Sequence, residues 1–118
     1  MDNLRVEHLN IENRPISDSG LQSIAGFEHL RSLDVSGTKI TSASLNLISE
    51  LKSLEKLDLS NTKISDEELA SLGELESLNT LYVGLTNITN DGLAIIRTYC
   101  PSVVIKPNGE SSGWGLEK

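Results

Sequence analysis

The chain has 118 residues, the size of one domain, and a formal charge of −7 from 17 acidic and 10 basic residues. This charge disfavours binding to the phosphate backbone of nucleic acids, and a single cysteine excludes both an internal disulfide and a thiolate-rich zinc site. The sequence contains no apolar run of about 18–20 residues and no leader that resembles a secretory signal. It therefore predicts a cytoplasmic protein that does not interact with membranes.

From residue 6 onward, one apolar pattern recurs every 24 residues. It divides the chain into units 6–29, 30–53, 54–77 and 78–102, with a partial fifth unit at 103–106. Each unit starts with apolar residues at strand spacing and continues, after a polar turn, with apolar residues at helical spacing. In the third unit these residues are Leu54, Leu57 and Leu59, then Leu69, Leu72 and Leu75. Because one strand and one helix of this length cannot enclose a core, the units must stack on one another.

Polar residues before each second half predict where its helix begins. They are Ser17–Asp18, Thr41–Ser42, Ser65–Asp66 and Thr89–Asn90, and the spacing of Ser65 and Glu68 also matches a capping box. This pattern favours a helix-start role for Asp18, Asp66 and Asp91 over a catalytic one.

The repeated L-x-x-L-x-L pattern resembles the leucine-rich repeat family across about residues 4–106. The resemblance implies an α/β fold, a right-handed solenoid (a horseshoe segment) of four repeats and a partial fifth strand. Thr38, Thr62 and Thr86 stand where asparagine or cysteine is usual, as in threonine-type repeats, and their hydroxyls can bond to the turn backbone. Residues 88–103 resemble the cysteine-containing repeats of F-box-associated proteins, which implies that Cys100 is buried.

The C-terminal residues 107–118 are predicted to form a flexible tail. The array would then end half-way through a unit, with Val104 and Ile105 near an open end of the core. One hypothesis is that Trp114, with Leu116, folds back as an end cap. The alternative is a disordered tail.

In the implied fold, strand residues between the inward leucines form lanes across the concave side. The predicted partner-binding residues are Asn10, Asp34, Asp58 and Tyr82 in the middle lane, Ser32, Lys56 and Thr80 beside it, and Leu85 in a turn. The adjacent carboxylates of Asp34 and Asp58 indicate a site for a Lys or Arg of a partner, with Tyr82 as an anchor. Alternatively, Lys56 and Arg31 neutralise this surface and nothing binds. A cation site at Asp34, Asp58 and Asn10 is disfavoured because a flat sheet offers too few oxygens for calcium.

None of the phosphate-binding, dinucleotide, zinc-protease or hydrolase motifs is present. The sequence therefore predicts a non-catalytic protein–protein interaction module without cofactor or metal, whose protein partner has a basic or mixed surface. The resemblance to F-box-associated repeats implies an alternative, the substrate-recognition part of a ubiquitin-ligase-type complex. A further alternative is a structural spacer of a longer repeat protein that self-associates through its exposed ends.

Overall fold

The computed structural model describes residues 5–106. They contain a five-stranded parallel sheet whose strands follow one another in sequence order: β1 (His8–Asn10), β2 (Ser32–Asp34), β3 (Lys56–Asp58), β4 (Thr80–Tyr82) and β5 (Val104–Lys106). Each strand pairs with the next in a register of 24 residues, so that Leu33 lies beside Leu57 and Leu57 beside Leu81. The predicted α/β solenoid is confirmed, with β5 as the start of a fifth unit.

The second half of each unit returns the chain to the next strand, on the convex side. Only the last return is one continuous α-helix; the segments are α1 (Asp18–Leu21) with a 3₁₀ turn (Gln22–Ile24), a 3₁₀ turn (Ser42–Ser44) with α2 (Leu45–Ile48), a 3₁₀ helix (Leu69–Glu74) and α3 (Asn90–Tyr99). The helix predicted for the third unit is present and is of the 3₁₀ type. Its leucines recur every third residue, and a 3₁₀ helix has three residues per turn, which brings all three to one face.

The core is a ladder of inward aliphatic side chains, of which Leu33, Leu57 and Leu81 are fully buried. The threonines after the strands close the turns, as expected. Thr38 and Thr62 donate their hydroxyls to the carbonyls of Val35 and Leu59, each at 2.7 Å, and Thr86 does the same to Val83 at 2.8 Å. Burying such a hydroxyl is tolerated because it is hydrogen-bonded.

The predicted helix caps are correct at two of the four starts. Thr41 accepts a hydrogen bond from the amide of Ala43 and Thr89 from that of Gly92, whereas Ser17 makes no capping bond. The predicted capping box of Ser65 and Glu68 is wrong. The residue that precedes the 3₁₀ helix is Glu68 itself, in a left-handed conformation (φ 64°) and without a side-chain capping bond.

The end of the array differs from the prediction for Val104. This residue is in register with Thr80, on the concave side of the sheet, and 54% of it is exposed. Ile105 continues the inward row beside Leu81. Cys100 is buried, as the resemblance implied, and burial raises the pKa of its thiol. The proposed cap of Trp114 and Leu116 lies outside the described residues.

Candidate interaction surface

The strand register brings the predicted site residues together in two lanes on the concave side. The first is His8, Ser32, Lys56, Thr80 and Val104, and the middle one is Asn10, Asp34, Asp58, Tyr82 and Lys106. Neighbouring strands in a sheet lie about 4.8 Å apart, so adjacent members of a lane can contact one ligand together. Leu85 lies just beyond β4, in the turn that follows it.

The middle lane is far less accessible than the sequence predicted. Asp34 and Asp58 are only 2% and 1% exposed. The Oδ1 atom of Asp34 accepts hydrogen bonds from the amide and hydroxyl of Ser36, and that of Asp58 accepts one from the amide of Ser60 at 2.9 Å. Because each carboxylate folds back onto the backbone two residues later, the expectation that the pair faces solvent is wrong.

Asn10 has the same local arrangement, since its Oδ1 atom accepts a hydrogen bond from the amide of Glu12 at 2.9 Å. In the first lane, the hydroxyl of Ser32 lies 2.8 Å from Nδ1 of His8. The side chains of Asn10, Ser32 and His8 are therefore engaged in local hydrogen bonds. The sheet surface at β1 and β2 offers mainly polar groups that are already hydrogen-bonded.

The accessible part of the sheet lies at β3, β4 and β5. Lys56 is exposed, Thr80 and Tyr82 are half-buried, and Val104 is exposed beside Thr80. Lys106 is half-buried and in register with Tyr82. Val104 and Lys106 extend the two lanes but were not among the predicted site residues, because the fifth strand was expected to lie at an open end of the core. The 24-residue period, applied once more to Thr80 and Tyr82, would have found both.

Leu85 is the most exposed of the large apolar residues in the described range, at 74%. It also has a left-handed backbone, with φ 58°. The corresponding residues of the other units are Asn13, Gly37 and Asn61, which share this conformation. Glycine and asparagine tolerate it and leucine does not, so Leu85 is strained as well as exposed.

Charged side chains in the segments just before the strands neutralise one another. Arg31 contacts Glu55 at 3.2 Å and Glu7 at 3.5 Å, and Lys52 contacts Glu74 at 3.3 Å. The hydrogen bond and charge of Glu55 raise the pKa of Arg31 further above its ordinary value. Arg31 thus pairs with the glutamates at the same place in the neighbouring units. These ion pairs do not agree with the alternative in which Arg31 neutralises Asp34 and Asp58.

Within residues 5–106, no group of three or more His, Cys, Asp or Glu side chains is placed to hold a metal ion. No helix in this part of the chain is long and apolar enough to cross a membrane.

Comparison with known proteins agrees with this architecture. Residues 28–71 match the family model "Leucine Rich repeats (2 copies)". A search of curated proteins finds no match. Among solved structures, the internalin inlF of Listeria monocytogenes is similar with a TM-score of 0.73 and 24% identity, covering 88% of this chain and 29% of that one.

Two further structures are similar. A leucine-rich repeat protein of Leptospira interrogans has a TM-score of 0.70 and 21% identity over 85% of this chain and 25% of that one. An internalin C2 of Listeria monocytogenes has a TM-score of 0.56 and 22% identity over 89% and 47%. The chain thus spans less than half of the length of each structure. The predicted resemblance is confirmed: residues 28–71 match the leucine-rich repeat model, and the chain shares the leucine-rich repeat fold of these structures.

Proposed function

We propose that this chain is a non-catalytic protein-interaction module that binds a protein partner on the concave side of its sheet, at strands β3 to β5. Leucine-rich repeats generally mediate protein–protein interaction, because a stacked array presents a continuous curved surface. The observation that favours this part of the surface is the exposed Val104 on the sheet, in the strand next to Tyr82 and one lane away from it.

The chemistry of this patch favours a partner with a mixed surface. Tyr82 supplies a rigid aromatic ring with a polar tip, a type of residue enriched at interface hot spots, and Val104 extends the apolar area. Lys56 supplies an exposed cation in the lane that also contains Thr80 and Val104. An apolar side chain packed between Tyr82 and Val104, with an acceptor group near Lys56, would use all three.

The proposal for a basic partner has less support. It depended on accessible carboxylates at Asp34 and Asp58, and both are buried. Ser32 and Asn10, in β2 and β1, are already hydrogen-bonded and lie outside the proposed site, and Leu85 lies beyond it in the turn after β4. The substrate-receptor and spacer alternatives stay predictions, since no observation on residues 5–106 favours either.

The test is a pull-down from native lysate with the wild type and two single variants, Tyr82→Ala and Lys56→Glu. We expect one specific protein to be captured by the wild type and lost with both variants. Tyr99→Ala is the matched control, because Tyr99 is 54% exposed on α3, on the convex side. Circular dichroism melting keeps a loss of fold separate from a loss of binding. Capture that survives both variants, or that is lost with Tyr99→Ala instead, would place binding elsewhere.

A further inference from the structure

A second surface lies along the loops that follow β2, β3 and β4. These loops run side by side and are joined by backbone hydrogen bonds, from Gly37 to Ser60 at 3.0 Å and from Asn61 to Gly84 at 2.8 Å. A groove of about 310 Å³ runs across them. It is lined by Gly37, Lys39, Asn61, Lys63 and Asn87, together with the buried Thr38 and Thr62. We call these loops, with Leu85, the turn rim.

The two lysines of the turn rim are adjacent and exposed. Lys39 and Lys63 occupy the same place in consecutive units, and the amide of Lys63 bonds to the carbonyl of Ile40 at 3.4 Å. Adjacent repeats are spaced like strands, about 5 Å apart. Neither rim lysine takes part in an ion pair within residues 5–106, in contrast to Arg31, which pairs with Glu7 and Glu55, and Lys52, which pairs with Glu74.

Two acidic residues near this groove, Asp18 in the first unit and Asp66 in the loop after β3, are already hydrogen-bonded. Asp18 accepts hydrogen bonds from the amide and hydroxyl of Thr41, and Asp66 accepts them from the amide and hydroxyl of Thr89. Lys39 and Lys63 carry like charges side by side and therefore repel each other, and carboxylates of a partner would relieve this cost. The residues that line the groove include Lys39 and Lys63 and no Asp or Glu, so in a chain of charge −7 the groove is a local basic site.

Leu85 adds an apolar contact at one end of this basic site. It takes the place that Gly37 and Asn61 hold in the preceding units. A single exposed leucine is ordinary, but a left-handed leucine also costs about 1–2 kcal/mol of backbone strain. An apolar partner group packed on Leu85 would give this side chain a role that asparagine or glycine could not fill.

From these contacts we propose that the turn rim binds an extended acidic peptide segment that carries an apolar residue. Two carboxylates of the segment pair with Lys39 and Lys63, and the amides of Asn61 and Asn87 bond to its backbone. Its apolar side chain packs on Leu85. An extended peptide advances about 3.3 Å per residue, so side chains two residues apart can reach both lysines.

The probe is a library of random 12-residue peptides displayed on phage, panned against the wild-type chain. We expect the selected peptides to be enriched in Asp and Glu together with an apolar residue. The double variant Lys39→Glu, Lys63→Glu should weaken the best peptide about tenfold or more, since it reverses two surface ion pairs. Binding should also shift the amide NMR resonances of Asn61, Leu85 and Asn87.

The matched control is Lys56→Glu, the same charge reversal on the concave side, which should change the affinity by less than about twofold if the rim is separate from the concave site. If peptide binding is lost with Lys56→Glu and not with the double variant, the peptide binds the concave surface and the proposed rim site is overturned. The rim is also overturned if acidic peptides are not enriched or if they bind the double variant unchanged. Tighter, rim-dependent binding of a 12-nucleotide single strand would replace the peptide by nucleic acid. None of these outcomes depends on the pull-down partner of the concave surface.

Discussion

Thr41 donates both its backbone amide and its hydroxyl to the carboxylate of Asp18, at 2.8 and 2.7 Å, across the boundary between the first two repeats. Ser44 adds a third hydrogen bond to Asp18 at 2.5 Å. Two repeats later Asp66 accepts both bonds from Thr89, and in between Ser42 accepts one from the amide of Ser65 at 3.0 Å. This line of side-chain bonds ties neighbouring repeats together beyond the sheet.

Asp18→Ala should destabilise the chain by about 1–2 kcal/mol, because it leaves the amide of Thr41 and the hydroxyls of Thr41 and Ser44 without their acceptor. Urea denaturation measures the change. Asp91→Ala is the matched control, since Asp91 is exposed in the first turn of α3 and should cost less than about 0.5 kcal/mol. Equal losses would mean that the bonds to Asp18 do not join the repeats.

The stability of the chain should depend on pH through the same carboxylates. Burial raises the pKa of Asp18, but the hydrogen bonds from Ser44 and Thr41 lower it by more. The bonds from the hydroxyl and amide of Thr89 lower the pKa of Asp66. A carboxyl with a lower pKa in the folded state contributes stability above its unfolded pKa, and this stability is lost as pH falls through the folded pKa.

We therefore expect the free energy of unfolding to fall as pH drops below about 4, the ordinary pKa of an aspartate. In the variant Asp18→Asn, Asp66→Asn this fall should be shallower, with lower stability at neutral pH. Urea titrations from pH 7 to pH 3 compare the two slopes. An unchanged slope would show that other carboxyls dominate the acid response.

Leu85→Asn should stabilise the chain by about 0.5–1 kcal/mol, because asparagine tolerates the left-handed backbone that leucine adopts here. Thermal melting measures the gain. Leu85→Ala keeps the backbone strain and removes only an exposed side chain, so its melting temperature should stay close to that of the wild type. A loss of stability with Leu85→Asn would show that the leucine packs against the protein.

Gly92→Ala should destabilise the chain by about 1–2 kcal/mol, although alanine is the better helix former by about 1 kcal/mol. A Cβ at Gly92 would overlap Oδ1 of Asp66 and lie 2.9 Å from Cγ2 of Ile88. The new methyl group would displace the carboxylate from Thr89. Gly26→Ala, where a Cβ meets nothing within 4 Å, should be neutral or stabilising. If both variants behave alike in thermal melting, close packing at Gly92 is not the cause.

The repeat architecture could be predicted because it depends on spacing alone. Residues 24 apart, such as Leu33 and Leu57, have the same role in consecutive units, so their apolar character revealed both the strands and their register. The threonine turns followed from the same alignment. The three-residue spacing of the leucines predicted a helix in the third unit, and the structure shows a 3₁₀ helix at Leu69–Glu74.

The accessibility of the candidate site could not be predicted in the same way. Alternation places Asp34 and Asp58 on the concave side, but whether a short carboxylate extends to solvent or folds back depends on the turn after the strand. The hydrogen bonds that Asp18 and Asp66 accept depend on how neighbouring repeats stack, which the pattern within one repeat does not describe. The register brings Lys56, Thr80 and Tyr82 together, and their binding role stays a prediction.

The constant 24-residue register has a consequence for how the chain folds. Every strand pair closes a chain segment of the same length, so each new interface costs a similar closure entropy, whichever repeat it joins. A nucleus of two stacked units can therefore form at several places and grow towards both ends. Residues 30–77, which have packed neighbours on both sides, would be the last to exchange their amide hydrogens with solvent.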